Sequence, residues 1–197
     1  MSDAPLVIGV DLAANPENPS WACLLRGRRV EALKPLRLDD ELVQLCYRQT
    51  PELVALDAPL TPPLGLTGSY SSRLAEKELR AAGFPALPPS RIPTLTFRGM
   101  RLAFRLQRHR VIEVFPRATL MRLGHTYGGP KGEASELAAC RALLERHLEG
   151  VPPVASDHEV DALAAALTAA LHLEGRTEAL GSSGEGQVWV PTLGEVG

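Results

Sequence analysis

The apolar positions of this chain fall into short runs of strand character and longer stretches of helical period. Leu6-Val7-Ile8-Gly9-Val10 is a β-branched run that stops at Asp11, which predicts a buried central strand. After a turn-rich segment, Trp21–Leu25 and Arg29–Leu33 read as two strands joined through Arg26-Gly27-Arg28 as a tight hairpin. Asp39-Asp40 open a helix to about Gln49, with Leu42, Val43, Leu45 and Cys46 on one side and Pro51 closing it. Leu53-Val54-Ala55-Leu56 is a second buried strand, again ending in an aspartate, Asp57, and the prolines that follow cannot continue a central strand. A Gly/Ser/Thr-rich loop to Ser72, a helix over Arg73–Ala82 and a Pro-punctuated loop over 83–99 come next. Gly99–His109 predicts a short helix with a basic side, and Val111–Phe115 a third strand carrying Glu113. Ala134–Glu149 predicts an amphipathic helix stopped by Gly150 and Pro152. Ser156 and Glu159 form a capping box that opens a helix to about Leu173, and Val188-Trp189-Val190 is a closing strand. The order predicts an α/β fold, a mixed sheet begun by a β-hairpin with helices packed on it.

Composition adds bounds. At 197 residues the chain is long enough for one well-filled core, so a single domain over 1–197 is expected, with a Pro-rich insertion around 58–110. Cys23, Cys46 and Cys140 have no ligand spacing and sit in apolar runs, which predicts small buried hydrophobes in a reducing cytoplasm. No signal-peptide pattern is visible, and the apolar stretch Ala162–Leu173 is too short to span a bilayer. The net charge of −2 opposes coating of nucleic acid by bulk electrostatics, but its distribution is uneven. Between Leu79 and Ile112 there is no acid, whereas from Glu133 onward eleven acids face three arginines.

Three acids need an explanation. Asp11 and Asp57 each end an apolar strand run, where ligand sites of open α/β sheets gather, and Glu113 lies inside one. If the first two strands are parallel neighbours, Asp11 and Asp57 repel at close range unless a cation neutralises them. On the helix after Ser156, Asp157 and Asp161 share a face, and the Ala-rich segment behind Asp161 lets that helix press close to a sheet. Oxygen-only ligands favour Mg²⁺ or Mn²⁺ over zinc. Each acid also has a plainer reading. An Asp after a strand is often a turn former, Asp157 can complement the helix dipole, and Glu113 can be neutralised by an arginine.

The phrases Gly9-Val10-Asp11-Leu12-Ala13, Ala55-Leu56-Asp57-Ala58-Pro59-Leu60, Ile112-Glu113-Val114-Phe115-Pro116 and Asp157-His158-Glu159-Val160-Asp161-Ala162-Leu163 resemble a bacterial and archaeal family. It is the family called domain of unknown function 429, predicted nucleases with a ribonuclease-H fold, and Gly186-Gln187-Val188-Trp189-Val190-Pro191 is similar to its closing strand. The resemblance spans nearly the whole chain in the same order. It implies a ribonuclease-H-like fold and metal-dependent hydrolysis of phosphodiester bonds. Asp11 would bridge two ions roughly 3.5–4 Å apart, with Asp57, Glu113 and Asp161 completing their shells. Lys131, in Gly128-Gly129-Pro130-Lys131-Gly132, would sit over the phosphate, or else be a solvated loop lysine. Such proteins also carry an arginine, an acid and Leu-Arg after the Pro-rich loop. Here these are Arg73, Glu76 and Leu79-Arg80, with Glu in place of Asp, and Glu76 reads as a helix-surface acid.

The basic strip suggests a nucleic-acid partner, DNA or RNA. Arg101, Arg105 and Arg108 lie at helical spacing behind Arg91 and Arg98 and would contact phosphates without regard to sequence. The competing reading pairs that face with the acidic C-terminal third, in one molecule or across a homodimer. Stacking has thin support, from Phe97 and Phe104 alone. Of the histidines, His158 beside Asp157 is the one that could reach the site, though helical geometry points it away from the face of Asp161, and Ser69-Ser71-Ser72 lacks a nucleophile elbow. Two other functions stay open: a nucleotide-binding or phosphotransfer protein of actin or sugar-kinase ancestry, and a non-catalytic interaction module. The first would need two such cores and a Gly/Thr-rich phosphate loop after Asp11, and the chain has neither.

Overall fold

The structure, a computed structural model, describes residues 4–15, 17–62 and 72–192. Ser69 and Ser71 of the serine cluster lie outside them. In chain order the elements are β1 (Leu6–Asp11), β2 (Ser20–Arg26), β3 (Arg29–Leu36), α1 (Asp39–Gln49), β4 (Leu53–Asp57), α2 (Leu74–Ala81) and α3 (Pro93–Arg105). They continue with β5 (Val111–Val114), α4 (Pro116–Arg122), α5 (Ala134–Leu144), α6 (Asp157–Leu173), β6 (Thr177–Ser182) and β7 (Gly186–Pro191).

The strands form one sheet in the order β3-β2-β1-β4-β5-β7-β6. The first three strands pair antiparallel, β1, β4, β5 and β7 run parallel, and β6 closes the far edge antiparallel to β7. A hairpin-led mixed sheet of this order, with helices on both faces, is the ribonuclease-H-like arrangement.

Strand period two divides the core. Val7, Leu53 and Ala55 face α6 together with Val114, whereas Ile8, Val10, Val54 and Leu56 face Leu42, Leu45 and Leu102 of α1 and α3. The α6 side is unusually close. The helix is buried from Glu159 to Leu171, and a Cβ on Gly9 of β1 would fall on the backbone of Ala166. Gly9 and the alanines of α6 therefore bring helix backbone against strand backbone, which sets how low the first turn of α6 lies over the ends of β1 and β4.

Several elements depart from the sequence reading. α3 begins at Pro93, six residues before the expected Gly99, because Pro93 at the first helical position starts a helix without loss of a hydrogen bond. The 83–99 stretch also holds a 3₁₀ turn, Pro89–Arg91. Pro116 ends β5 and also opens α4, by the same principle. α5 stops at Leu144, and Glu149 instead makes a bridge to Arg29. β6 is half-buried along its length, so it lacks the alternation that marks a strand.

All three cysteines are free and buried, and burial pushes the thiols of Cys23 and Cys46 up to about 12. They pack as small hydrophobes. Among the described residues, no helix is long and apolar enough to cross a membrane.

Candidate metal centre

Asp11 and Asp57 are Cα partners in the parallel pairing of β1 with β4, one at the end of each strand. The close packing of α6 brings Asp161, one turn into that helix, over the same strand ends. One carboxylate oxygen from each of the three lies within 4.8 Å of the others. Asp11 and Asp161 are buried, and Asp161 Oδ1 has no hydrogen-bond partner.

Such a group is costly by itself. Burial, then the charges of Asp161 and Asp11, hold the Asp57 carboxyl well above the ordinary carboxylate range. Burial also raises Asp161, to about 6, with Lys131 opposing the shift and Asp11 adding to it. A divalent cation would relieve both. Three hard oxygen donors and an unsatisfied Asp161 oxygen fit Mg²⁺ or Mn²⁺.

Two side chains flank the acids. Lys131 forms an ion pair with Asp161. Burial alone would lower its pKa, but the Asp161 carboxylate outweighs that and holds the ammonium charged. Its loop is pinned: the backbone N–H groups of Gly128 and Gly129 donate to Glu136 Oε1 at 2.8 and 3.0 Å. His158 Nδ1 lies 2.7 Å from Asp11 Oδ2, and this contact raises the imidazole pKa. His158 is therefore the histidine that reaches the site, through Asp11. It avoids the face of Asp161, but in the first turn of α6 it reaches sideways to the end of β1. Asp157, partly buried, adds its negative charge to the field at Asp161.

Glu113 does not join the group. Both its oxygens take the guanidinium of Arg73, and Oε2 also accepts the backbone N–H of Leu60 at 2.9 Å. Arg73 is fully buried and pairs on its other side with Glu76 at 2.6 Å. Glu76 is thus a buried acid, not the expected surface one. This triad ties α2 to β5 and to the loop after β4. The structure replaces a four-carboxylate site by three carboxylates and a buried ionic strut beside them.

The basic strip is also rearranged. Arg98 binds Asp39 and donates to the carbonyl of Ala13, Arg101 binds Asp39, and Arg105 binds Asp40 at 2.5 Å. The acids opposite α3 come from the start of α1, not from the C-terminal third. Arg91 and Arg108 are exposed, as is Arg101 for 66% of its side chain. Phe97 and Phe104 flank Arg101 on α3 and are 73% and 71% exposed.

Known proteins place the chain in a family. No curated protein matches it in sequence. Among solved structures it is similar to RuvC of T. thermophilus in complex with a Holliday junction substrate, with 16% identity and a TM-score of 0.48 over 86% of this chain and 96% of that one. A second Thermus thermophilus RuvC structure matches with the same values. A putative sugar kinase from Cytophaga hutchinsonii is similar at 10% identity and a TM-score of 0.34, over 64% of this chain and 40% of that one. Residues 9–185 match the family model described as "Protein of unknown function (DUF429)", and the chain belongs to that family.

Proposed function

We propose that this protein is a metal-dependent nuclease that hydrolyses phosphodiester bonds of nucleic acid. The observation that carries the reading is the buried convergence of Asp11, Asp57 and Asp161, with an oxygen of each within 4.8 Å of the others. Three carboxylates held so close, two of them pushed up by burial and mutual charge, suit a bound divalent ion better than a bare acid cluster. When bound, Mg²⁺ or Mn²⁺ supplies Lewis-acid polarisation of a phosphate and a water made more acidic. Asp11, Asp57 and Asp161 would hold it. With Glu113 engaged by Arg73, a second ion would draw its remaining ligands from the phosphate itself.

The surrounding residues have definite tasks on this reading. His158 steadies the Asp11 carboxylate through Nδ1. Lys131 keeps a charged ammonium beside the centre and can exchange its Asp161 contact for a phosphate oxygen. Arg98 fixes α3 to the carbonyl two residues past Asp11, and the exposed Arg101 on that helix and Arg108 after it would contact the phosphate backbone. A cytoplasmic location agrees with three free, buried cysteines.

The test incubates the protein with labelled single-stranded, duplex and branched DNA and RNA in Mg²⁺ or Mn²⁺, with Asp11→Asn as control. Metal-dependent cleavage that the variant lacks is expected. Equal backgrounds on every substrate would remove the nuclease assignment.

A further inference from the structure

A pocket of about 280 Å³ opens beside the three carboxylates, between the Pro-rich segment and the end of β5. Leu87, Ile92, Leu95 and Phe115 supply apolar walls, and Leu87 is 60% exposed. Asp57, Lys131 and Arg117 give the same pocket a polar side. The Arg117 guanidinium lies 4.5 Å from the centroid of the Tyr127 ring, and its Nε is buried with no hydrogen-bond partner. Glu113 and Glu76 also line the cavity, and both are tied up by the single guanidinium of Arg73.

We infer that this pocket receives one unpaired nucleobase of the substrate, with the phosphate attached to it held at Lys131 and the carboxylate centre. The source being a strand rests on the nuclease reading; the fit of a nucleobase to the cavity does not. Size selects the ligand. The volume, about 280 Å³, lies just under the roughly 300–1,000 Å³ typical of small-molecule sites, enough for a ring system and too small for a stacked pair. Chemistry selects it as well. A neutral, flat heterocycle suits walls of leucine, isoleucine and phenylalanine, while the linked phosphate needs the cations that only the Asp57 side offers. The Arg117 guanidinium lines this wall, and as a donor-only group it can bond a ring nitrogen or carbonyl oxygen of the base. A base stacked in a duplex cannot enter without leaving its helix, so single-stranded or distorted sites are preferred. The Pro-rich segment thereby has a role: it builds one wall of a base pocket against the ribonuclease-H-like sheet.

The test is a binding measurement on the full chain in Mn²⁺, independent of cleavage. Adenosine and cytidine 5′-monophosphate are titrated against ribose 5-phosphate and inorganic phosphate. The nucleotides are expected to bind at least about tenfold tighter than ribose 5-phosphate. Leu87→Trp, at an exposed position that can tolerate the larger ring, should abolish that difference and leave ribose 5-phosphate and Mn²⁺ affinities unchanged. Arg117→Gln should weaken the nucleotides while the circular dichroism spectrum stays the same. A short single strand carrying 2-aminopurine should change its fluorescence on binding, and the matching duplex should not. Nucleotides no tighter than ribose 5-phosphate, or a difference that survives Leu87→Trp, would overturn the pocket. Bound mononucleotides with an excluded oligonucleotide would overturn the strand as its source. Absence of cleavage with base-dependent binding intact would count against the nuclease reading alone.

Discussion

Asp11 and Asp57 face each other as Cα partners across two parallel strands, each at the strand's last residue. Parallel register puts two carboxylates on one edge, and the close seat of α6 on Gly9 delivers Asp161 as the third. Without a cation the arrangement opposes folding, so its removal should stabilise the protein.

Asp57→Asn should therefore raise the melting temperature of the metal-free protein, by about 2–4 °C for each kcal/mol of repulsion relieved. The same variant should lose divalent-ion binding. Thermal unfolding in a chelator checks the first part. A lower melting temperature would show that Asp57 has a structural partner in place of a repulsive one.

Stability should also depend on pH in a particular direction. Asp161 titrates near 6 in the folded chain and near its ordinary 3.8 when unfolded, so the folded state binds the proton more tightly. Its contribution is full below about pH 4 and is lost as pH rises through about 6. The metal-free melting temperature should fall across that window by the equivalent of ~1–3 kcal/mol from this group. Saturating Mg²⁺ should remove the fall at neutral pH, since an ion bound to the folded state alone stabilises it. An unchanged profile in Asp161→Asn would contradict the assignment.

Arg73 is the residue on which the strut depends. Arg73→Met leaves Glu113 and Glu76 buried without their cation, and should cost about 3–5 kcal/mol in chemical denaturation. Glu113→Gln keeps the shape and should retain divalent-ion affinity, because Glu113 braces the loop after β4 through Leu60.

Gly9→Ala should damage the fold and the centre together. Its methyl group would meet the backbone of Ala166, so α6 must lift from β1 and carry Asp161 away from Asp11. A loss of about 1–3 kcal/mol, typical of overpacking, is expected with weakened ion binding. Denaturation and Mn²⁺ titration of one preparation test both.

The residues that end strongly patterned elements were legible in the sequence. Asp11 and Asp57 terminate apolar runs, and Asp161 stands before an alanine stretch whose packing consequence follows from side-chain size. The rest depended on partners distant in the chain. A buried Glu113 was evident, but its counter-charge stands forty residues earlier, on the far side of the Pro-rich segment. The arginines of α3 show helical spacing, yet nothing local reveals that Asp39 and Asp40 stand opposite them. Face counting along α6 sets His158 apart from Asp161, and it does not reveal that the end of β1 beside the first turn brings Asp11 to it. Helix α4 and strand β6 were missed for smaller reasons, a proline read only as a stop and an edge strand without alternation.

The central claim is a divalent-cation site made by three carboxylates. Mn²⁺ binding followed by electron paramagnetic resonance tests it most directly, on the natural chain and on Asp57→Asn, Asp161→Asn and Glu113→Gln. The account predicts binding by the natural chain and by Glu113→Gln, with at least about a tenfold loss in each aspartate variant. No binding by the natural chain, or a loss in Glu113→Gln equal to that in Asp57→Asn, would contradict it.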